Sequence, residues 1–421
     1  MLELAHAPRT RHRDFSGALE PSEFPGAPVL NEQKARRRIL IVAEPTVDGV
    51  FVFTAQVIAF LQRHNVTVDY AYSSARTCSQ LTPLLDQVIE HGGHVLDLRV
   101  DNRPSWRDVP ALVRLLRFIR TRRPAVVHAM SSKAGVLARA LAGLGCAPAI
   151  LYQPHAYFGL SGERRAWVRF FVAIEAVLGP LGRVIVVSPS EAQYAHSRLG
   201  IRRSQLRLVS QPIDTSHFQP PTPGERARAR QALGVEPHEV LLGAVGRISF
   251  QKDPWTLHEA FALLAKDRPH WRLLHVGRGP LQDEIHALTK TLGTERQIIW
   301  SDYLPDPRHL YAAMDLLVHP SRYEGMSLVC LEALACGLPL VATTCPGNVD
   351  LQRFPWSHAW FAPCANAGGV AAAITQWERD RRAGRPSNHA ALIRQHFSPE
   401  RCFRALLAEY DATTVPAPVV L

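Results

Sequence analysis

Short apolar runs recur along this chain, each followed by a helix-length segment. That alternation constrains the fold more than any other feature. Runs at 38–43, 66–72, 94–100, 125–129, 149–153, 184–187 and 206–209 read as buried strands. Segments at 52–63, 80–90, 107–120, 133–144, 163–178 and 190–199 read as the helices between them. A proline-rich, polar piece, Gln219-Pro-Pro-Thr-Pro-Gly224, then interrupts the pattern and marks a boundary. The alternation restarts with strands at 240–245, 272–276, 297–300, 316–318, 340–342 and 358–361. Helices are expected at 255–265, 281–292, 308–313, 327–335, 369–382, 390–396 and 399–410. Strands alternating with helices give doubly wound parallel sheets. The expected fold is α/β, with two Rossmann-like doubly wound domains, 37–213 and 214–398, facing a cleft. Residues 1–36 lack periodicity, carry Pro8, Pro21, Pro25 and Pro28, and are expected to be a mobile tail.

Several classes are disfavoured. The best candidate for a membrane span, 170–178, is interrupted by Glu175 and falls short of the roughly 18 residues a span needs. The charged N-terminus, with Glu3, Arg9, Arg11, Arg13 and Asp14, does not read as a secretory signal. Seven scattered cysteines without a C-x-x-C argue against a disulfide framework or a zinc site and for a reducing cytosol. A net charge of +11 leaves phosphates, nucleic acid and acidic membranes open as partners, beside a plain high-arginine background.

Chemistry concentrates between Met314 and Thr344. The run Leu316-Leu-Val318 ends at His319-Pro-Ser-Arg322, Glu324-Gly follows, and a helix pattern begins near Ser327. That helix is apolar almost all round yet carries Glu332, eight residues after Glu324. A buried lone carboxylate costs several kcal/mol unless paired or hydrogen-bonded. Gly325, Met326 and Ser327 would offer free backbone N–H groups at the helix start, where phosphate binds well. Spacing alone leaves two readings open: a nucleotide-sugar site, or a solvated Glu332 beside an ordinary loop charge at Glu324.

The stretch Glu324-Gly-Met-Ser-Leu-Val-Cys-Leu-Glu332 resembles the E-x7-E motif of retaining glycosyltransferase family 4, also called glycosyltransferase group 1. The flanking His-Pro-Ser-Arg-Tyr-Glu-Gly and Glu-Ala-Leu-Ala-Cys-Gly-Leu-Pro-Leu-Val-Ala-Thr are similar to that family too. The resemblance spans roughly 38–410. It implies a GT-B fold, with the acceptor on the first half, the donor on the second, and a final helix, 399–413, crossing back to the first domain. Gly246-Arg-Ile-Ser-Phe-Gln-Lys-Asp253 resembles the family's phosphate loop, which gives Arg247 and Lys252 a donor diphosphate to clamp. Fixed cations there would favour the transition state, because the leaving group gains negative charge. By the same resemblance Glu324 holds sugar hydroxyls, Glu332 the ribose, and His155 the donor sugar near its anomeric carbon. Gly277 and Gly279 lie in a loop beside the nucleotide and permit close backbone approach, although a plain strand-to-helix turn explains them equally. Tyr303 and Leu304 fall where the family contacts the base. Asp48-Gly49 stands where family members carry Gly-Gly, so Gly49 alone is left for close approach and Asp48 would repel a phosphate unless turned away. Ser190 is read as a helix cap.

The chain has no D-x-D pair, which favours a metal-independent enzyme with no cofactor beyond its nucleoside-diphosphate sugar. The acceptor implied is a carbohydrate or lipid-linked sugar, in polysaccharide or glycolipid synthesis. Two basic stretches invite contact with an acidic membrane: 103–123, with seven arginines, and Arg164, Arg165, Arg169 and Arg183 near Trp167, Phe170 and Phe171. Core packing of those aromatics is the competing reading. The expected location is the cytoplasm or the cytoplasmic face of a membrane. Rival readings are a sugar-nucleotide epimerase or phosphorylase on the same fold, a basic membrane- or nucleic-acid-binding protein, and a catalytically silent, membrane-associated partner subunit. No helix-turn-helix, zinc or RNA-recognition signature supports specific nucleic-acid binding.

Overall fold

The computed structural model describes residues 37–101, 104–163, 165–302, 304, 306–381 and 387–414, so the expected tail lies outside the described residues. The first domain runs β1 (Arg38–Val42), α1 (Asp48–Arg63), β2 (Thr67–Tyr72), α2 (Leu81–Glu90), β3 (Val95–Asp97), α3 (Asp108–Arg122), β4 (Val126–Ala129), α4 (Ser132–Gly143), β5 (Ala149–Tyr152), α5 (Ala166–Leu178), β6 (Arg183–Val186), α6 (Pro189–Leu199) and β7 (Leu206–Leu208). The second runs α7 (Pro223–Ala232), β8 (Val240–Val245), α8 (Pro254–Ala265), β9 (Trp271–Val276), α9 (Gln282–Thr291), β10 (Ile298–Ser301), α10 (Arg308–Ala313), β11 (Leu316–His319), α11 (Leu328–Ala335), β12 (Leu340–Thr343), β13 (Ala359–Ala362), α12 (Ala367–Arg381) and α13 (His389–Phe397), and α14 (Pro399–Thr414) ends the chain.

Both sheets are parallel. Their orders are β3-β2-β1-β4-β5-β6-β7 and β10-β9-β8-β11-β12-β13. Strands such as β1, β8 and β11 are buried along nearly their whole length, because helices cover both faces. In each domain the sheet therefore carries two apolar clusters, one per face. This is the doubly wound, two-domain architecture that the alternation predicts.

The chain passes between domains twice, side by side, where Ile213 N–H donates to the Phe397 carbonyl at 2.8 Å. Beyond that crossing α14 packs on the first domain. Phe403, Leu406 and Tyr410 join its core, the Tyr410 hydroxyl sits 2.7 Å from His128 Nδ1, and Glu409 pairs with Arg183 and Arg207. The proline-rich break differs from expectation. It leads directly into α7, where Thr222 and Glu225 form a capping box and Pro223 fills the first turn. Proline there removes only an N–H that would lack a partner anyway.

Candidate functional site

The second sheet reverses its winding between β8 and β11, so the loops leaving their carboxyl ends diverge and open a crevice. Lys252, from the loop after β8, and Glu324, from the loop after β11, meet there with Nζ 2.7 Å from Oε1. The Lys252 stem lies across Gly246, where a Cβ would sit 3.2 Å from Cε. Glu324 is also held by His319 Nε2 at 3.2 Å and by Gln251 Nε2 at 3.4 Å. Burial opposes its charge, yet Lys252 and His319 bring it from 4.5 down to about 2. Burial, with Lys252 alongside, keeps His319 below its ordinary value.

Gly325, Met326 and Ser327 then turn into α11. Ser327 is its cap, its hydroxyl accepting from Cys330 N–H at 3.4 Å. The first-turn N–H groups of α11 have no acceptor within the helix and add a partial positive charge beside the Lys252–Glu324 pair. Met326 turns its side chain into the core. Glu332 lies one turn before the end of α11 and lines an interdomain cleft of about 220 Å³, together with Val52, Phe53 and Gln56 of α1 and Asp214 and His217 of the segment that crosses between domains. The buried Tyr311 hydroxyl donates to its Oε2 at 2.8 Å. Burial raises Glu332 to about 7 against that hydrogen bond. The two glutamates of one motif are thus poised oppositely, one a held carboxylate and one near its midpoint at neutral pH.

The remaining candidates fall at varied distances from this centre. Arg247 is exposed, makes no ion pair among the described residues, and lies near enough to Tyr323 to favour its phenolate, as Glu324 disfavours it. Gly277 and Gly279 are needed, but by the protein itself. A Cβ would fall 2.3 Å from the Gly246 carbonyl oxygen at the first and 2.1 Å from that of Ile248 at the second, so both let the β9 loop pack on the phosphate-loop backbone. Gly49 lies in the first turn of α1, which begins earlier than expected, and its Cα faces Leu328 of α11 across the cleft. The Asp48 side chain and all of Tyr303 lie outside the described residues; Leu304 is half-buried against the second core.

His155 follows β5 with φ +62°, its ring edge-on to Phe53 and its Nδ1 3.1 Å from Gln211 Nε2. Burial lowers it to about 3, so it is neutral. The expected cap at Ser190 is corrected. Ser188 caps α6, because only its side chain reaches the Glu191 N–H. Ser190 instead reaches the other domain. Its hydroxyl and N–H both donate to Asp350 Oδ2, and its oxygen accepts from Gly347 N–H at 2.7 Å.

His319, Tyr311, Gln211 and Asp350 were not singled out from sequence. His319 stands five residues before Glu324 and could have been suspected as its partner; the others are joined to the site only by folding. The aromatics of α5 are divided. Trp167 and Phe170 are 42% and 57% exposed, while Phe171 is half-buried. Arg165 and Arg169 share that surface, Arg164 lies outside the described residues, and Arg183 turns away to Glu409. Val109 and Val113 are exposed on the basic helix α3, as is Trp106 in the turn before it, and Arg103 lies outside the described residues. No described helix is long and apolar enough to cross a membrane.

The fold defines a two-domain α/β protein with a cleft between its lobes. Two family models cover most of it: Glycosyltransferase Family 4 over 47–217 and Glycosyl transferases group 1 over 225–394. The chain belongs to the group 1 glycosyltransferases. The lipopolysaccharide core biosynthesis mannosyltransferase LpsB of Rhizobium meliloti is 31% identical over 208 residues, 48% of this chain and 59% of that protein. The UDP-Gal:alpha-D-GlcNAc-diphosphoundecaprenol alpha-1,3-galactosyltransferase of Escherichia coli is 24% identical over 59% of this chain and 65% of its own length. The chain thus matches less than two thirds of either relative. Anabaena Alr3699/HepE, solved with UDP and glucose, superposes with a TM-score of 0.73 at 21% identity, over 89% of this chain and 99% of that one. That likeness establishes the shared GT-B fold.

Proposed function

We propose that this protein is a retaining glycosyltransferase that moves a hexose from a nucleoside-diphosphate sugar to a hydroxyl of a carbohydrate or lipid-linked acceptor, in polysaccharide or glycolipid synthesis. One observation carries the reading: a lysine, a charged glutamate and the start of α11 converge at the switch point of the second sheet. A diphosphate seated there meets Lys252, Arg247 and the α11 amides, which oppose the charge that grows as the glycosidic bond breaks. These groups take the place of a metal ion. Glu324, ionised and fixed, accepts hydrogen bonds from the hydroxyls of the sugar, and Glu332 from those of the ribose. Neutral His155 lies across the cleft beside the reacting carbon. The acceptor attacks from the face that the leaving group vacates, and the departing phosphate oxygen takes its proton.

The names of related proteins support this reading, since they include sugar transferases of lipopolysaccharide and of a lipid-linked diphosphate. So does the surface of α5, where exposed Trp167 and Phe170 lie beside Arg165 and Arg169. Aromatics among arginines suit an acidic lipid surface, and the reading places the protein at the cytoplasmic face of a membrane.

The test is product formation from a panel of nucleoside-diphosphate sugars with sugar acceptors, by wild type and by Glu324→Ala, Lys252→Ala and Arg247→Ala. Losing one charged contact costs about 1.5–3 kcal/mol, a drop of roughly 10- to 150-fold. Unchanged rates in all three variants reject the assignment. A product formed without acceptor indicates an epimerase, and one requiring inorganic phosphate a phosphorylase.

A further inference from the structure

Glu332 has two carboxylate oxygens in different surroundings. Oε2 accepts from Tyr311, while Oε1 has no hydrogen bond among the described residues and is not sealed from solvent. The residue itself forms part of the cleft wall. Tyr311 sits on α10, fully buried in the core between α10 and α11, and cannot touch a ligand in that cleft. Its hydroxyl therefore acts on the ligand only through the carboxylate. We infer that Tyr311 is a positioning residue: by holding Oε2 it turns Oε1 of Glu332 toward the cleft as the acceptor for the vicinal hydroxyls of a nucleoside diphosphate's ribose. This rests on the donor reading above and adds to it the group that sets the angle and charge of the ribose contact.

The surroundings bear on that charge from every side. Asp306, from the loop before α10, disfavours the carboxylate and is itself paired with Arg308 and His217. Asp214 and His217 of the crossing segment share the cleft wall, and Cys330 and Cys336 flank Glu332 on or beside α11. Against this background, burial holds Glu332 at about 7 and the Tyr311 hydrogen bond works to lower it. An ionised carboxylate accepts from both ribose hydroxyls, whereas a protonated one loses an acceptor site. Ribose recognition should strengthen as pH rises through neutrality, and deleting the Tyr311 hydroxyl should move that transition upward.

The experiment measures Kd by calorimetry from pH 6 to 8.5 for UDP, ADP and GDP and for their 2′-deoxy counterparts. Wild type should favour the ribose form about tenfold at pH 8 and by less at pH 6. In Tyr311→Phe the preference at pH 7.5 should fall to about threefold or below, with its pH midpoint shifted up by half a unit or more. In Glu332→Gln the preference should no longer vary with pH. A lowered melting temperature alone does not move this ratio, so the ratio separates positioning from mere core packing. A wild-type ratio and midpoint in Tyr311→Phe overturn the inference while leaving the donor reading intact. Failure of wild type to bind any of the three diphosphates overturns both.

Discussion

Gly325 of the second domain lies against the carbonyl of His155 in the first, so closely that a Cβ at 325 would fall 2.1 Å from that oxygen. The loop that carries Glu324 is thereby wedged between domains, with Gly347 packed on its other side against the carbonyls of Glu324 and Gly325. Gly325→Ala should force the lobes apart at this point. Misplacing reacting groups by about 1 Å costs on the order of 100-fold in rate. The expected result is that loss in turnover with nucleotide binding to the second domain largely kept. Wild-type turnover in Gly325→Ala would show that the contact is incidental.

Half-buried Lys252 is ion-paired with buried Glu324. Removing one member leaves the other uncompensated, at a cost of about 3–5 kcal/mol. Lys252→Met should therefore destabilise the fold in urea by that order as well as weaken diphosphate binding. The double variant Lys252→Met/Glu324→Gln should regain much of the stability and none of the binding. Additive losses in the double variant would mean that the two side chains act independently.

Arg247 offers the contrast, because it is exposed and unpaired among the described residues. Arg247→Ala should change stability by less than about 0.5 kcal/mol. If the side chain swings onto the diphosphate, kcat/KM should still fall roughly 10- to 150-fold, as expected for one charge-assisted contact. A variant that melts like wild type and also turns over like wild type excludes Arg247 from the site.

These expectations divide by how far apart in sequence the partners lie. The spacing of Glu324 and Glu332, the glycines after β8 and β9, and the strand–helix alternation were legible because each is local: a strand end, a helix start, a period. Lys252 and Glu324 could be linked from a resemblance of motifs. The Tyr311–Glu332 and Gln211–His155 contacts could not, since nothing in the spacing of a tyrosine or a glutamine marks which side chain it will meet after folding. The role of Gly277 and Gly279 was half legible: sequence indicates a close approach, and only the packed loops reveal that the approaching backbone is that of Gly246 and Ile248. The prolines ahead of α7 read as a break in the pattern, although Thr222-Pro-Gly-Glu225 also holds a helix start signal.

Ser190 and Asp350 join the domains 160 residues apart through two hydrogen bonds, and Ser190 also accepts from Gly347 N–H. All three groups are removed from water, so Ser190→Ala leaves a buried acceptor and a buried donor short of partners. The expected loss is about 1–3 kcal/mol. Because the contact spans the domain boundary, amide exchange at Gly347 should quicken more than at the strands of either sheet. Uniform acceleration across both domains would indicate general destabilisation and no latch.

Glu191, at the start of α6, is fully buried; burial raises it to about 8, opposed by the Val187 N–H on its Oε2 and aided by nearby Asp350. A carboxyl whose folded value exceeds its unfolded value of 4.5 favours the fold most below 4.5, and that contribution is lost as pH climbs toward 8. Glu332 acts in the same direction up to about 7. The acid side is limited by other groups. Burial holds His128 and His155 near 3, so their contribution is lost as pH falls from 6.5, and that of Glu324 is lost between 4.5 and about 2. Stability should therefore fall in both directions from mildly acidic pH. Glu191→Gln keeps an oxygen for the Val187 N–H and removes the titration. Between pH 5 and 8 its unfolding free energy should decline less steeply than that of wild type, by up to ~1.4 kcal/mol per pH unit, the slope of one proton. Urea melts across that range decide the matter: parallel profiles for the two proteins would mean that Glu191 stays ionised in the fold and that its burial is compensated in some other way.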